Sequence, residues 1–122
     1  MLEVEAERLG VVTILHFRGR IVKGMAVTTL RDAVCAQIHA ETVVLNLAHV
    51  DLIDAGGVGV LLELRQWTQL NGIEFKLMNV NAHVQYVLEI TCLDSVFEIT
   101  SQDMVLTAAT DPTSLIVFAI LD

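Results

Sequence analysis

Apolar and polar positions recur with two different periods along this 122-residue chain, and the switches between them mark its elements. "LEVEAERL" (2–9) and "VVTILHF" (11–17) alternate or are rich in β-branched residues on either side of Gly10, which predicts a hairpin. "GRIVKG" (19–24), with Gly19 and Gly24 at its ends, predicts a turn or loop. From Met25 to His39 one helical stripe runs through Val27, Leu30, Val34 and Ile38. "TVVLNLAHV" (42–50) is a short apolar run with β-branched residues, expected to be a strand buried on both faces.

Helical spacing returns from Gly57 to Asn71. Val60, Leu64 and Trp67 form one stripe; Val58, Leu61 and Leu62 form a second in its first half. Such a helix should start deeply packed and reach water at its end through Arg65, Gln66 and Gln69, with Asn71-Gly72 as its stop. "IEFKLMNV" (73–80) is the next expected strand. Val84, Val87, Leu88 and Thr91 mark a third helix, and "SVFEIT" (95–100) a last strand. "SQDMVLTAA" (101–109) predicts a short final helix with Ser101 as its N-cap.

The order β-β-α-β-α-β-α-β-α predicts an α/β fold, in which crossovers make most strands parallel: a small mixed sheet of four to five strands with about four helices. Residues 1–111 form the expected domain. Pro112 then precedes "TSLIVFAILD", an apolar extension (112–122) expected to pack on the domain or on a partner, a second copy included.

Composition narrows the class. Apolar residues make up 54% and charged residues 18%, which excludes a disordered chain. No apolar run approaches the roughly 18 residues needed to span a bilayer, and "MLEVEAERLG" lacks the basic and apolar regions of a secretory leader, so a cytoplasmic location is expected. Fifteen acidic against seven basic residues give a net charge of −8, which opposes phosphate attraction and argues against nucleic acid as a partner. Cys35 and Cys92 lie far apart in apolar helical patterns, and His16, His39, His49 and His83 lack metal-ligand spacing; no metal or cofactor is expected. No nucleophile or acid/base pair can be assembled from named residues, so an enzyme is not expected.

Candidate chemistry concentrates in "IDAGGVG" (53–59), between the carboxyl end of a strand and the amino end of a helix. Ligands gather at such junctions because unpaired helix N–H groups point outward there. Asp54 is placed to accept from the Gly56 or Gly57 N–H, and both glycines permit close approach. A dinucleotide fingerprint would need a third glycine where Leu62 stands; a Walker loop would need Gly-Lys-Ser/Thr. A nucleophile elbow would need Ser, Cys or Asp at the tip; Ala55 supplies neither Ser nor Cys, and Asp54 has no identifiable partner. The remaining reading from the residues alone is a tight, capped strand-to-helix turn.

The stretch "TVVLNLAHVDLIDAGGVGVLLELRQW" resembles the central motif of the STAS domain family (sulfate transporter and anti-sigma factor antagonist): an apolar strand, Asp-Ser-Ser-Gly-Leu-Gly, then an apolar helix. "ILHFRGRIVKG" is similar to the family's second strand and glycine-containing loop. "NGIEFKLMNVNAHVQYVLEITCLDSVFEI" resembles the strand, helix and strand that follow, so the likeness covers about residues 4 to 110. It implies no catalysis. In the bacterial antagonists, the Ser after the Asp is phosphorylated by a kinase that is also the anti-sigma factor, and the unphosphorylated antagonist binds that factor. By position the Asp is Asp54, the phosphorylated Ser is Ala55, the second Ser is Gly56 and the Gly is Gly57. This sequence therefore departs from the pattern at the switch residue. No Ser or Thr lies between Val43 and Trp67, and Thr28, Thr29, Thr91, Ser95 and Ser101 have ordinary places on helix surfaces or caps.

The leading expectation is a regulatory module that binds a protein partner through Asp54, Ala55, Gly56, Gly57 and Val58, with Lys23 and Gly24 of the Arg20–Gly24 loop beside them. The resemblance implies a kinase-type anti-sigma factor as that partner. Two other readings stay open: a subunit of a larger sensory or lipid-transport assembly, and a sensor holding a small anion or nucleotide at the helix amino end.

Overall fold

A computed structural model describes residues 2–100. Strands β1 (Leu2–Leu9) and β2 (Val12–Ile21) form the opening hairpin, turning at Gly10 with φ 64. Helix α1 (Met25–Cys35) leads to β3 (Thr42–Ile53), α2 (Ala55–Leu70) to β4 (Glu74–Met78), and α3 (Ala82–Ile90) to β5 (Glu98–Thr100). The five strands lie in sequence order in one sheet, with β1 antiparallel to β2 and every later pair parallel. This is the expected α/β fold with a mixed sheet. It has three helices among the described residues; the expected fourth (101–109), Ser101 and the extension 112–122 lie outside them.

Strand alternation sorts the sheet into two faces. Leu15, Phe17, Val43, Leu45, Phe75 and Leu77 point to one of them, where Leu30, Val34, Leu61, Leu64, Val84 and Leu88 of the three helices meet them in the main core. Val12, Ile14, Val44 and Met78 form a second cluster on the other face, with Leu9 against it. β1 is a sheet edge, and its Glu3, Glu5 and Glu7 are all exposed.

Three boundaries and one burial differ from the sequence pattern. "GRIVKG" is not a loop from its start: β2 runs on to Ile21, and Gly19 sits inside it at φ 121. The β2–β3 register shifts between His16 and Arg18 and again between Gly19 and Arg20, so the glycine serves an irregularity in the strand rather than a turn. α1 stops at Cys35 and leaves Ile38 exposed. The chain tightens there, with Gln37 N–H donating to Val34 O at 3.0 Å, and the Glu41 and Thr42 N–H groups then turn to Val11 O to start β3. β3 extends to Ile53 and is buried on both faces only through Leu45; Ala48, His49, Asp51 and Leu52 are exposed, because its pairing with β4 ends at Asn46. Leu62 of the second α2 stripe reaches the surface, whereas Val58, Val60 and Leu61 are buried as expected. The stop of α2 is Gly72 at φ 69, with Asn71 Nδ2 donating to Trp67 O at 2.8 Å.

Candidate functional site

Asp54 leaves β3 in an extended conformation (φ −108, ψ −176), and the next residue opens α2. Its carboxylate is divided between two segments. Oδ1 accepts from the Gly57 N–H at 2.8 Å, capping α2, and Oδ2 accepts from the Lys23 N–H at 3.1 Å, fixing the β2–α1 loop. The backbone completes the tie: Asp54 N–H donates to Ile21 O at 3.3 Å, and Val58 N–H donates to Asp54 O at 2.9 Å. These donors favour the charged form, the Gly57 N–H most and the Lys23 N–H next, and they hold the carboxyl below its ordinary value.

The glycines have unequal duties. Gly57 is buried where a Cβ would overlap the Ile21 carbonyl oxygen and stand 2.8 Å from Ile53 Cγ1. At Gly56 a Cβ would lie 3.2 Å from Lys23 Cβ, so the β2–α1 loop rests directly on the start of α2. Gly24 adopts φ 114 in open space just before α1. Thus Lys23, Gly24, Asp54, Ala55 and Gly56 form one continuous surface, with Lys23, Gly24 and Ala55 exposed. Gly57 and Val58 face the core, Val58 at 5% exposure, so neither presents a side chain to that surface. Arg20 is exposed at the end of β2, before the loop.

Sequence reasoning missed three contributors. Met25, exposed at 81%, opens α1 beside Gly24 and has no signature in the sequence. Asn81 caps α3 by accepting from the Val84 N–H at 2.9 Å, while its Nδ2 donates to Val50 O at 2.8 Å. An Asn directly before an apolar helical stripe was a readable cap signal; its grip on β3 was not. His83 Nε2 accepts from the Ile53 N–H at 3.2 Å, so the residue preceding Asp54 is held from α3. That bond requires the neutral ring with its proton on Nδ1. Asn81→Asp keeps the cap acceptor and loses the donor to Val50. The expected result is a loss of about 1 kcal/mol in urea unfolding, with helix content unchanged by circular dichroism.

The STAS domain model matches residues 3–106. The chain belongs to the STAS domain family. Solved structures with the same fold include an anti-sigma factor antagonist from Mycobacterium paratuberculosis, 20% identical with TM-score 0.74, covering 91% of this chain and 96% of that one. The anti-sigma factor antagonist SpoIIAA of Bacillus, in its unphosphorylated form, is 17% identical with TM-score 0.67, covering 85% and 91%. A sulfate transporter family protein from Wolinella succinogenes is 21% identical with TM-score 0.65, covering 81% and 84%. This STAS domain is thus similar both to anti-sigma factor antagonists and to a sulfate transporter family protein. No helix among its described residues is long and apolar enough to cross a membrane.

Proposed function

We propose that this STAS domain is a non-enzymatic regulatory module that binds a protein partner, in the manner of an anti-sigma factor antagonist, through Asp54, Ala55 and Gly56 with Lys23 and Gly24. The likeness to anti-sigma factor antagonists makes a kinase-type anti-sigma factor the partner to test. The observation that carries the reading is the double grip of Asp54: one carboxylate fixes both the helix start and the neighbouring loop, and so presents a preset surface around the exposed Ala55. Ala55, taken as the counterpart of the family's phosphorylated Ser, has no hydroxyl. A phosphoserine would bring about −1.5 to −2 charges to this turn, and here none can be added, so the module stays in its binding form.

The reading as an anion sensor is disfavoured, because the Gly57 N–H that would greet an anion is already bonded to the protein's own Asp54 carboxylate. The reading as a subunit of a larger assembly draws on exposed apolar side chains away from the turn: Leu70 on α2, and Tyr86 and Ile90 on α3.

The test is affinity for a candidate kinase-type anti-sigma factor, with ATP and without. Ala55→Glu should weaken binding about tenfold or more, the effect of one like charge or clash at a contact, with unchanged thermal stability. Undiminished affinity removes the turn as the contact. Phosphate incorporation by the kinase at any residue, accompanied by release of the partner, overturns the constitutive part of the proposal.

A further inference from the structure

Polar side chains of β1, β2 and β3 line a cleft of about 510 Å³, chiefly Glu5, Glu7, His16, Arg18, Asn46 and His49. It lies on the sheet face opposite the helices, because His16 and Arg18 alternate along β2 with Ile14 of the second cluster. Three of the six hold one another. Asn46 Oδ1 accepts from the Ala48 N–H and from Asn79 Nδ2, each at 3.1 Å, so its Nδ2 is the group facing His16 Nδ1 at 2.8 Å. That ring nitrogen is therefore an acceptor, and the ring proton sits on Nε2, which donates to Glu7 Oε1 at 2.9 Å. His16, Asn46 and Glu7 form a fixed floor.

Glu5, Arg18 and His49 are left over. Among the described residues none of these three side chains makes a hydrogen bond or an ion pair. A register shift decides their placement: Leu47 and Ala48 of β3 stand against Phe17 alone of β2, and this bulge sets His49 beside Arg18. Glu5 is the register partner of His16, so Glu5 and Arg18 are diagonal neighbours, about 7–8 Å apart along the backbone. We propose that this cleft binds a small zwitterion of the α-amino acid class, with its carboxylate on Arg18 and His49 and its ammonium on Glu5. Charge is sorted by strand here, with carboxylates on β1 and the guanidinium and imidazole on β2 and β3. A simple anion would meet Glu5 against it, and a simple cation would meet Arg18. A molecule with both charges on neighbouring atoms satisfies both, and the guanidinium fork matches a carboxylate. The volume suits a small ligand.

The test follows backbone amide chemical shifts of the full chain during titration with alanine. Propionate and ethylamine, which each carry one of its two charges, are titrated separately at the same pH and ionic strength. Alanine should move the Glu5, Arg18 and His49 amides saturably, and each single-charge probe should bind about tenfold more weakly, the loss of one charged hydrogen bond. Arg18→Gln and Glu5→Gln should each weaken alanine binding about tenfold. Both residues are exposed, so the melting temperature should change by less than about 2 °C. Failure of alanine to saturate, or shifts confined to other residues, overturns the proposal. Propionate binding as tightly as alanine would make the cleft a plain anion site and overturns it too, as does undiminished alanine binding by either variant.

Discussion

Gly57→Ala should cost this STAS domain about 3 kcal/mol, whereas Gly59→Ala, two residues along the same helix, should stabilise it by about 0.5 to 1 kcal/mol. The opposite signs follow from position alone. At Gly57 the added Cβ would run into the Ile21 carbonyl oxygen and lie 2.8 and 2.9 Å from Ile53 Cγ1 and Ile21 Cγ2. The oxygen belongs to backbone, and Ile21 and Ile53 are in the core, so the end of β2 and the start of α2 must separate for the methyl group to fit. Separation would also stretch the Asp54 N–H bond to the same Ile21 carbonyl. At Gly59 a Cβ meets nothing within 4 Å, and alanine there only removes freedom from the unfolded chain. Urea unfolding of the two variants beside the parent decides the matter. A Gly57→Ala variant within about 1 kcal/mol of the parent would show that the strand–helix contact relaxes easily.

Asp54→Ala has the second largest expected effect, a loss of about 2 kcal/mol at neutral pH. An N-cap replaced by alanine costs about 1 kcal/mol, and the Lys23 N–H loses its partner in the same step. The dependence on pH separates this account from a general packing loss. The folded carboxyl sits below its ordinary 3.8, chiefly through the Gly57 and Lys23 N–H groups. A depressed folded value means that the charged form stabilises the fold: the contribution is complete above the ordinary value and disappears as pH falls through the folded one. The gap between parent and Asp54→Ala should therefore be constant from neutral pH down to the upper carboxylate range and then narrow in acid. A gap unchanged by acidification would mean that the charge contributes nothing. Asp54→Asn should fall between the two, since the amide keeps one oxygen to accept from Gly57 or Lys23.

What could be read from the sequence was whatever depends on short separations. Asp54 and Gly57 are three apart, so the cap follows from local geometry, and Gly10 and Gly72 mark turns because their neighbours' periodicity breaks at them. The alternation of strand and helix patterns gave the order of elements and most of the core. Readings failed where a distant strand decided the outcome. Gly19 looked like a turn residue but accommodates a register shift against β3, which no local pattern reveals. Ile38 continued the α1 stripe, yet α1 ends so that residues 41 and 42 can bond back to Val11. The same holds at the candidate site. The sequence located the turn, but not that Lys23, 31 residues earlier, shares its carboxylate, nor that Asn81 and His83 hold the preceding strand from α3.

The outer rim of the sheet bears on how this chain behaves in a crowd of its own copies. An open strand edge is a template: its free N–H and C=O groups can accept another strand and, repeated, start a fibre. β1 is eight residues long, enough to seed such growth, but Glu3, Glu5 and Glu7 recur at every second position and project from the same side. Two such edges brought into register would set carboxylates beside carboxylates along their length, with each like-charged pair opposing the join. The first strand therefore closes its side of the sheet while refusing to extend it, and the acidic composition serves colloidal stability at a rim where backbone groups invite polymerisation.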